Sequence, residues 1–542
     1  MTWQSHLIVM PIVLPLVTAA VLLLFDERNR RLKMAINVIS VVLQIAIAIE
    51  LMIMAIEKAP EPMVYLIGDW PAPFGIVLVL DRLAALMLVL TSVLGLASLS
   101  FALANWYKAS PNFHTIFQLL LMGLNGAFLT GDLFNLFVFF EVMLAASYGL
   151  ALHGSGVARV KAGMHYIVIN LVASSLFLIG VSLIYGVTGT LNMADLAQRI
   201  PDVAAQDRML LETGAAILGI AFLIKAGMWP LNFWLTPTYS AAAAPVAAIF
   251  AVMTKVGIYV LLRLSPLMFG ISSGASYGFG NHWLYFGGMV TLTFGLIGVV
   301  ASQAMGRLAS YSILVSSGTL LAAIGSGNTA MTAAALFYMV SSTLTIAAFF
   351  LLIELVERGQ DAAANVLAVT MEAYGDEEDE EEEEEVGTLL PATLAVLGLC
   401  FAICAILLIG LPPFSGFIAK FVILSAILNG NHIAPNTAAG IDPSSWVLVG
   451  LILLSGLSAL IAMTRTGIRT FWASLEGNVP RVLVREIVPV GALLLVCLSL
   501  TFAAGPVMRY MEATAHYLHT PEQYIQSVIN TPRVGGKTEN GK

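Results

Sequence analysis

Charge is what this sequence has least of. Only 11% of its 542 residues are Asp, Glu, Lys or Arg, and 59% are hydrophobic, whereas about one quarter of a soluble domain is charged. That balance points away from an ordinary soluble protein. Cysteine is scarce too, and three in so long a chain form no disulfide framework. Cys400 and Cys404 stand four apart in an apolar run with no histidine beside them, so they read as small core hydrophobes rather than metal ligands. With 25 basic residues against 33 acidic ones, no basic surface offers itself to nucleic acid. No nucleophile motif, phosphate loop or metal cluster stands out, so the sequence predicts neither a cofactor nor an enzyme acting by itself.

What the chain has in abundance is apolar runs. A bilayer crossing needs about 20 apolar residues, and such stretches recur from 5–25 to 486–506, enough for about fourteen helices. The expectation is an all-α polytopic membrane protein. Met1 to Phe25 has no leading positive region, so it reads as a first membrane helix rather than a cleaved signal. The negative charge is concentrated: Asp376 to Glu385 is a run of ten acidic residues, without which 25 basic residues face 23 acidic. Adjacent like charges repel and bury nothing, so 357–388 is expected to be a disordered loop. A calcium site there is disfavoured, because no glycine turn spaces the carboxylates.

Orientation follows from the loops. The set that begins with Asp26 to Lys33 holds thirteen lysines and arginines, and the opposite short loops hold five: Lys58, Arg82, Arg199, Arg208 and Arg263. The positive-inside rule puts the first set, and the acidic loop, in the cytoplasm. Both termini then face away from it.

Three lysines remain inside apolar helices: Lys225, Lys255 and Lys420. Glu141, set between Phe139-Phe140 and Val142-Met143, is the matching anion. A charge at mid-membrane costs about 2.5–3.5 kcal/mol on insertion scales. Structural ion pairs between helices would explain any single one. Four together suggest a proton relay, because burial and an opposite charge move a lysine or glutamate pKa in opposing directions. Two helix breaks stand near them, Gly227-Met228-Trp229-Pro230 after Lys225 and Gly410-Leu411-Pro412-Pro413 before Lys420. Membrane helices break where they line polar cavities. The breaks suggest two inverted five-helix repeats, 106–265 with Glu141, Lys225 and Lys255, and 266–470 with Lys420. A three-helix segment, 1–105, precedes them, and a last helix and tail, 471–542, follow.

At these residues the chain resembles a known superfamily. Asp132 to Glu141, Lys225 to Leu235, Met253 to Tyr259, Met305 to Ser312 and Gly410 to Lys420 are similar to motifs of the proton-conducting membrane subunits shared by respiratory complex I and the multisubunit cation/proton antiporters. In its length, the lysine at 420 and the acidic insertion it resembles the D subunit of the Mrp (Mnh, Pha) type of monovalent cation/proton antiporter. The resemblance implies a component of a hetero-oligomeric complex in the bacterial inner membrane, exchanging Na+ or K+ for H+. It further implies that Glu141 and Lys225 form a coupling ion pair, that Lys255 is the central relay and that Lys420 ends the lateral path. The alternative is a proton-pumping component of a quinone oxidoreductase or membrane hydrogenase. Where many relatives carry histidines, this chain has Val315-Ser316-Ser317-Gly318 and Ser341-Ser342-Thr343. Transfer between Lys255 and Lys420 is therefore expected to use water together with Ser316, Thr319, Ser341 and Thr345. His165 is a candidate gate for proton uptake, or an interfacial histidine with a backbone bond. Asp132 is expected to cap a helix, and Asp81 and Arg82 to anchor a helix at the interface.

Overall fold

The computed structural model describes residues 3–26, 29–104, 112–154, 156–358, 392–429, 442–471 and 482–533. All but the first two residues of the expected acidic loop, and 534–542 of the tail, lie outside them. The helices in chain order are α1 (Trp3–His6), α2 (Met10–Leu23), α3 (Arg30–Glu57), α4 (Arg82–Ala102), α5 (Phe113–Leu129), α6 (Leu133–Ala151), α7 (Val157–Thr188) and α8 (Met193–Arg199). There follow α9 (Ala205–Ala226), α10 (Leu235–Ala241), α11 (Ala244–Phe269), α12 (Asn281–Ala301), α13 (Met305–Gly325) and α14 (Thr329–Glu357). The last are α15 (Ala392–Ile409), α16 (Ser415–Leu428), α17 (Pro443–Phe471), α18 (Val484–Phe502), α19 (Ala504–His519) and α20 (Glu522–Ile529).

Among the described residues twelve helices are long and apolar enough to cross a membrane, and α2, α5 and α16 are shorter apolar helices. The chain is a multi-pass, mostly helical membrane protein, as its composition requires. Helix starts follow local chemistry. The side chains of Asp81, Asp132, Asn192 and Asn328 each accept from backbone N–H groups of the first turn, satisfying donors that the helix leaves open. The cap expected of Asp132 is present, at 2.9 Å from the Asn135 amide.

The two breaks occur where the glycines and prolines put them. In the first, α9 ends with Gly227 at φ 73°, its N–H donating to Ile224 O and that of Met228 to Leu223 O. This left-handed closure costs glycine little. In the second, the apolar stretch from Ala392 to Leu428 is two helices, α15 and α16, with Gly410 at φ 82° between them. The N–H groups of Gly410 and Leu411 both reach Ile406 O.

Two elements escape a hydropathy reading. β1 (Met63–Leu66) and β2 (Val77–Leu80) form an antiparallel hairpin, with Met63 opposite Leu80. The tail after α18 continues as the amphipathic α19 and α20, and α19 packs along α14.

One expectation needs correcting. Arg263 is not a loop residue: it lies in α11, 4% exposed, and makes a two-pronged pair with Asp81 at 2.7 and 2.9 Å. Asp81 is thus a buried partner as well as the cap of α4, rather than an interfacial anchor. Tyr259 Oη accepts from Arg263 Nε at 3.0 Å, and the rings of Tyr259 and Tyr524 flank the guanidinium. Arg82 stands over the Tyr510 ring instead.

Candidate functional site

Glu141 and Lys225 lie on α6 and α9, on either side of α7. They line one small cavity of about 10 Å³ with Phe137, Phe140, Ala173, Ser174, Phe177 and Ala221, about the space of a single water. They do not touch. Among the described residues no N–O contact within 4.0 Å joins them. Each is held by a neutral group of α7 instead. Ser174 Oγ donates to Glu141 Oε1, and Lys225 Nζ donates to Asn170 Oδ1 at 2.5 Å. Asn170 Nδ2 is occupied by the Tyr166 carbonyl at 2.7 Å, which leaves the amide oxygen turned toward the lysine. Asn170 and Ser174 are four apart and so share one helix face.

Lys255, 1% exposed, lies at the middle of α11 and donates to Ser316 Oγ of α13 at 2.9 Å. Ser316 meets Ser342 of α14 at 3.0 Å. The neighbouring Ser341 meets Ser415, the first residue of α16, at 2.9 Å. Adjacent serines on α14 thus serve opposite sides, one toward Lys255 and one toward the second break. A cavity of about 30 Å³ continues from there, lined by Ser341, Ser342, Thr345, Tyr338, Lys420 and Ser455 among others, with room for about two waters. Thr319 bonds its own helix at Val315 O and stands by the Tyr338 hydroxyl. Thr345 bonds Ser341 O at 2.8 Å and faces Cys497 Sγ at 3.7 Å.

Lys420 has no carboxylate beside it among the described residues. Its Nζ donates to Ile409 O at 2.9 Å and to Leu408 O at 3.3 Å, with Ser455 Oγ at 3.5 Å. Those carbonyls belong to the last turn of α15. They are acceptors that a helix end leaves open, and they lie at the negative end of its dipole. A cation there is held by dipoles alone.

The structure therefore joins Lys255, Ser316, Ser341 and Lys420 into one stretch with Thr345, and sets Glu141 and Lys225 together at another. It does not bring in His165, which is exposed on α7 while the next residue, Tyr166, is buried and bonded to Ser147 Oγ at 2.7 Å. Sequence reasoning missed Asn170, Ser174, Ser342, Tyr338 and Ser455. The available signal was a polar residue at helical spacing inside an apolar run, as for Asn170 and Ser174. Cys400, Cys404 and Cys497 are buried thiols.

Two broken membrane helices, each with a lysine held inside the bundle beside the break, define the chain as a polytopic membrane protein of the transporter class. The family model described as NADH:quinone oxidoreductase/Mrp antiporter, transmembrane, matches residues 130–441, and the chain belongs to that family. It is 61% identical over 538 residues to the D subunit of a probable K+/H+ antiporter of Rhizobium meliloti, covering 99% of both chains. To the D subunit of a Na+/H+ antiporter of Alkalihalophilus pseudofirmus it is 34% identical, covering 97% of this chain and 100% of the other. Among solved structures it is similar to a chain of the Mrp complex from Dietzia sp., with a TM-score of 0.79 at 28% identity, covering 98% and 100% of the two chains.

Proposed function

We propose that this chain is the proton-translocating D subunit of a multisubunit monovalent cation/proton antiporter in the bacterial inner membrane, exchanging Na+ or K+ for H+. The observation that carries the reading is the arrangement of the charges inside its helices, Lys225 and Lys255 buried and Glu141 and Lys420 half-buried. Glu141, Lys225, Lys255 and Lys420 each meet hydroxyl, amide or backbone oxygen rather than a locked counter-ion. A charge so held can exchange its proton with water when its neighbour moves. The names of the K+/H+ and Na+/H+ relatives supply the cargo class and the membership of a larger assembly.

In this reading, closure of the gap between Glu141 and Lys225 favours the ionised form of both. Its opening favours the neutral form, so a change in spacing takes up or releases a proton. Lys255 passes the change through Ser316 and Ser342, and water in the cavity that Ser342, Ser341 and Lys420 line carries it on to Lys420. Serine hydroxyls donate and accept at once, so they carry a proton along hydrogen bonds without holding charge. The pairing of α9–α10 with α15–α16, each broken at a left-handed glycine, supports two inverted five-helix units. Both termini and α19 then face away from the cytoplasm. The work is transport, with no covalent step.

The test is cation-dependent proton flux in membrane vesicles holding the whole complex. Glu141→Ala or Lys225→Ala is expected to abolish flux while assembly, read by co-purification, persists. Normal flux in either variant removes the reading.

A further inference from the structure

The groups used so far end at Ser341 and Lys420, and nothing yet connects them to water outside. A cavity of about 820 Å³ lies at the far end of the helices that carry them. Its walls are the end of α11, the start of α14, the end of α16 and one face of α19. The first three are the helices of Lys255, Ser341 and Lys420. Its floor includes Leu262, seven residues from Lys255, and Val422, two residues from Lys420. At 1.5 Å per residue these lie about 10 Å and about 3 Å along their helices from the two lysines. The cavity therefore reaches nearly to the level of Lys420.

On its α19 side stand Glu512, His516 and His519. His519 Nε2 meets Thr332 Oγ1 at 3.0 Å, and Thr332 lies nine residues before Ser341 on α14, about 13 Å along the axis. The titratable or charged groups facing the cavity are Tyr277, Glu512, His516 and His519. α11 contributes the neutral Ser265, α14 the neutral Asn328 and Thr332, and α16 the neutral Ser425 and Asn429. Arg263 of α11 is engaged elsewhere, by Asp81.

We infer that this cavity is the outer mouth of the proton path and that His519, supplied by the exposed His516 and Glu512, is its terminal proton-exchanging residue. The inference rests on the transport reading above. Burial, and then the proximity of His516, hold the His519 pKa below its ordinary value, so the ring stays neutral near pH 7 and hands a proton on readily. The exposed Glu512 and His516 gather protons from outside water, and His519 passes them inward along the face of α14.

Two measurements on the complete complex test this. First, Ser425→Cys is labelled with a membrane-impermeant thiol reagent applied to right-side-out or everted vesicles. The native cysteines are buried. Labelling from the non-cytoplasmic face alone is expected; labelling from the cytoplasmic face, or from neither because a lipid or partner fills the cavity, overturns the inference. Second, His519→Asn keeps a polar partner for Thr332 but cannot titrate. Its flux is expected to fall roughly tenfold at an outer pH of about 6, where the ring can hold a proton for part of the time, and the deficit to shrink at about 8, where the ring is almost always neutral. His519→Glu is expected to restore part of the loss. A pH profile for His519→Asn that superimposes on the native one refutes the role of His519. Lys225→Ala, measured alongside, reports on the transport reading itself: if it still carries protons, that reading fails, while the labelling still decides whether the cavity opens outward.

Discussion

Asp81–Arg263 and Glu141–Lys225 are both an acid and a base inside the same bundle, yet they are built in opposite ways, the first pair fully buried and the second with Glu141 half-buried. In the first, both carboxylate oxygens are gripped by guanidinium nitrogens at 2.7 and 2.9 Å, and Tyr259 with its ring closes the remaining side. In the second, Ser174 holds the acid and Asn170 the base, with a water-sized gap between them. A satisfied pair gains nothing by moving. A separated pair has room to close, which is what the proposed coupling to another site requires. Buried charge is thus no sign of function by itself; what separates the two sites is whether neutral side chains stand between the partners.

That contrast can be broken, beginning with its largest consequence. Arg263→Leu strands Asp81 and is expected to lower stability by about 3–5 kcal/mol, read as thermal unfolding of the detergent-solubilised complex, whereas Glu141→Gln leaves unfolding close to native. Asn170→Asp places a carboxylate on Lys225 and turns the open pair into a closed one. A hydrogen bond to a charged group contributes about 1.5–3 kcal/mol, so proton flux should fall about tenfold or more while thermal stability is kept. Ser316→Ala combined with Ser342→Ala removes the bridge beyond Lys255; loss of about 1 kcal/mol of connection corresponds to roughly a fivefold loss of flux. His165→Ala, outside the row, should change flux by no more than about twofold. A larger effect there would give the exposed face of α7 a part in uptake.

Much of this plan could be read from the chain because membrane helices write it in linear form. Lys225, Lys255, Lys420 and Glu141 stand out where nearly every neighbour is apolar, and Gly227 and Gly410 mark breaks because few other residues close a helix in the left-handed region. Arg263 was hidden by its own context. It follows Leu261 and Leu262 and precedes Pro266, so it looks like the edge of a span, and its partner lies 182 residues away. The β1–β2 hairpin went unseen because strands of four residues leave no periodicity long enough to recognise. Asn170 was passed over because a single amide in an apolar run looks the same whether it holds a neighbouring helix or a lysine.

α11 and α14 are enclosed by protein: the most apolar 18-residue stretch of α11 is entirely buried and that of α14 is 94% buried. Yet each is hydrophobic enough to stand alone in lipid, and that matters during synthesis. α11 leaves the ribosome after α4 and α9, which pack against it, but before α13 and α14 exist, so Lys255 is first covered on one side only, carried in by the leucines and valines around it. The later helices then close over it, as independently inserted spans come together in the membrane. The lysine is thus walled in twice, first by helices made before its own and then by those made after it.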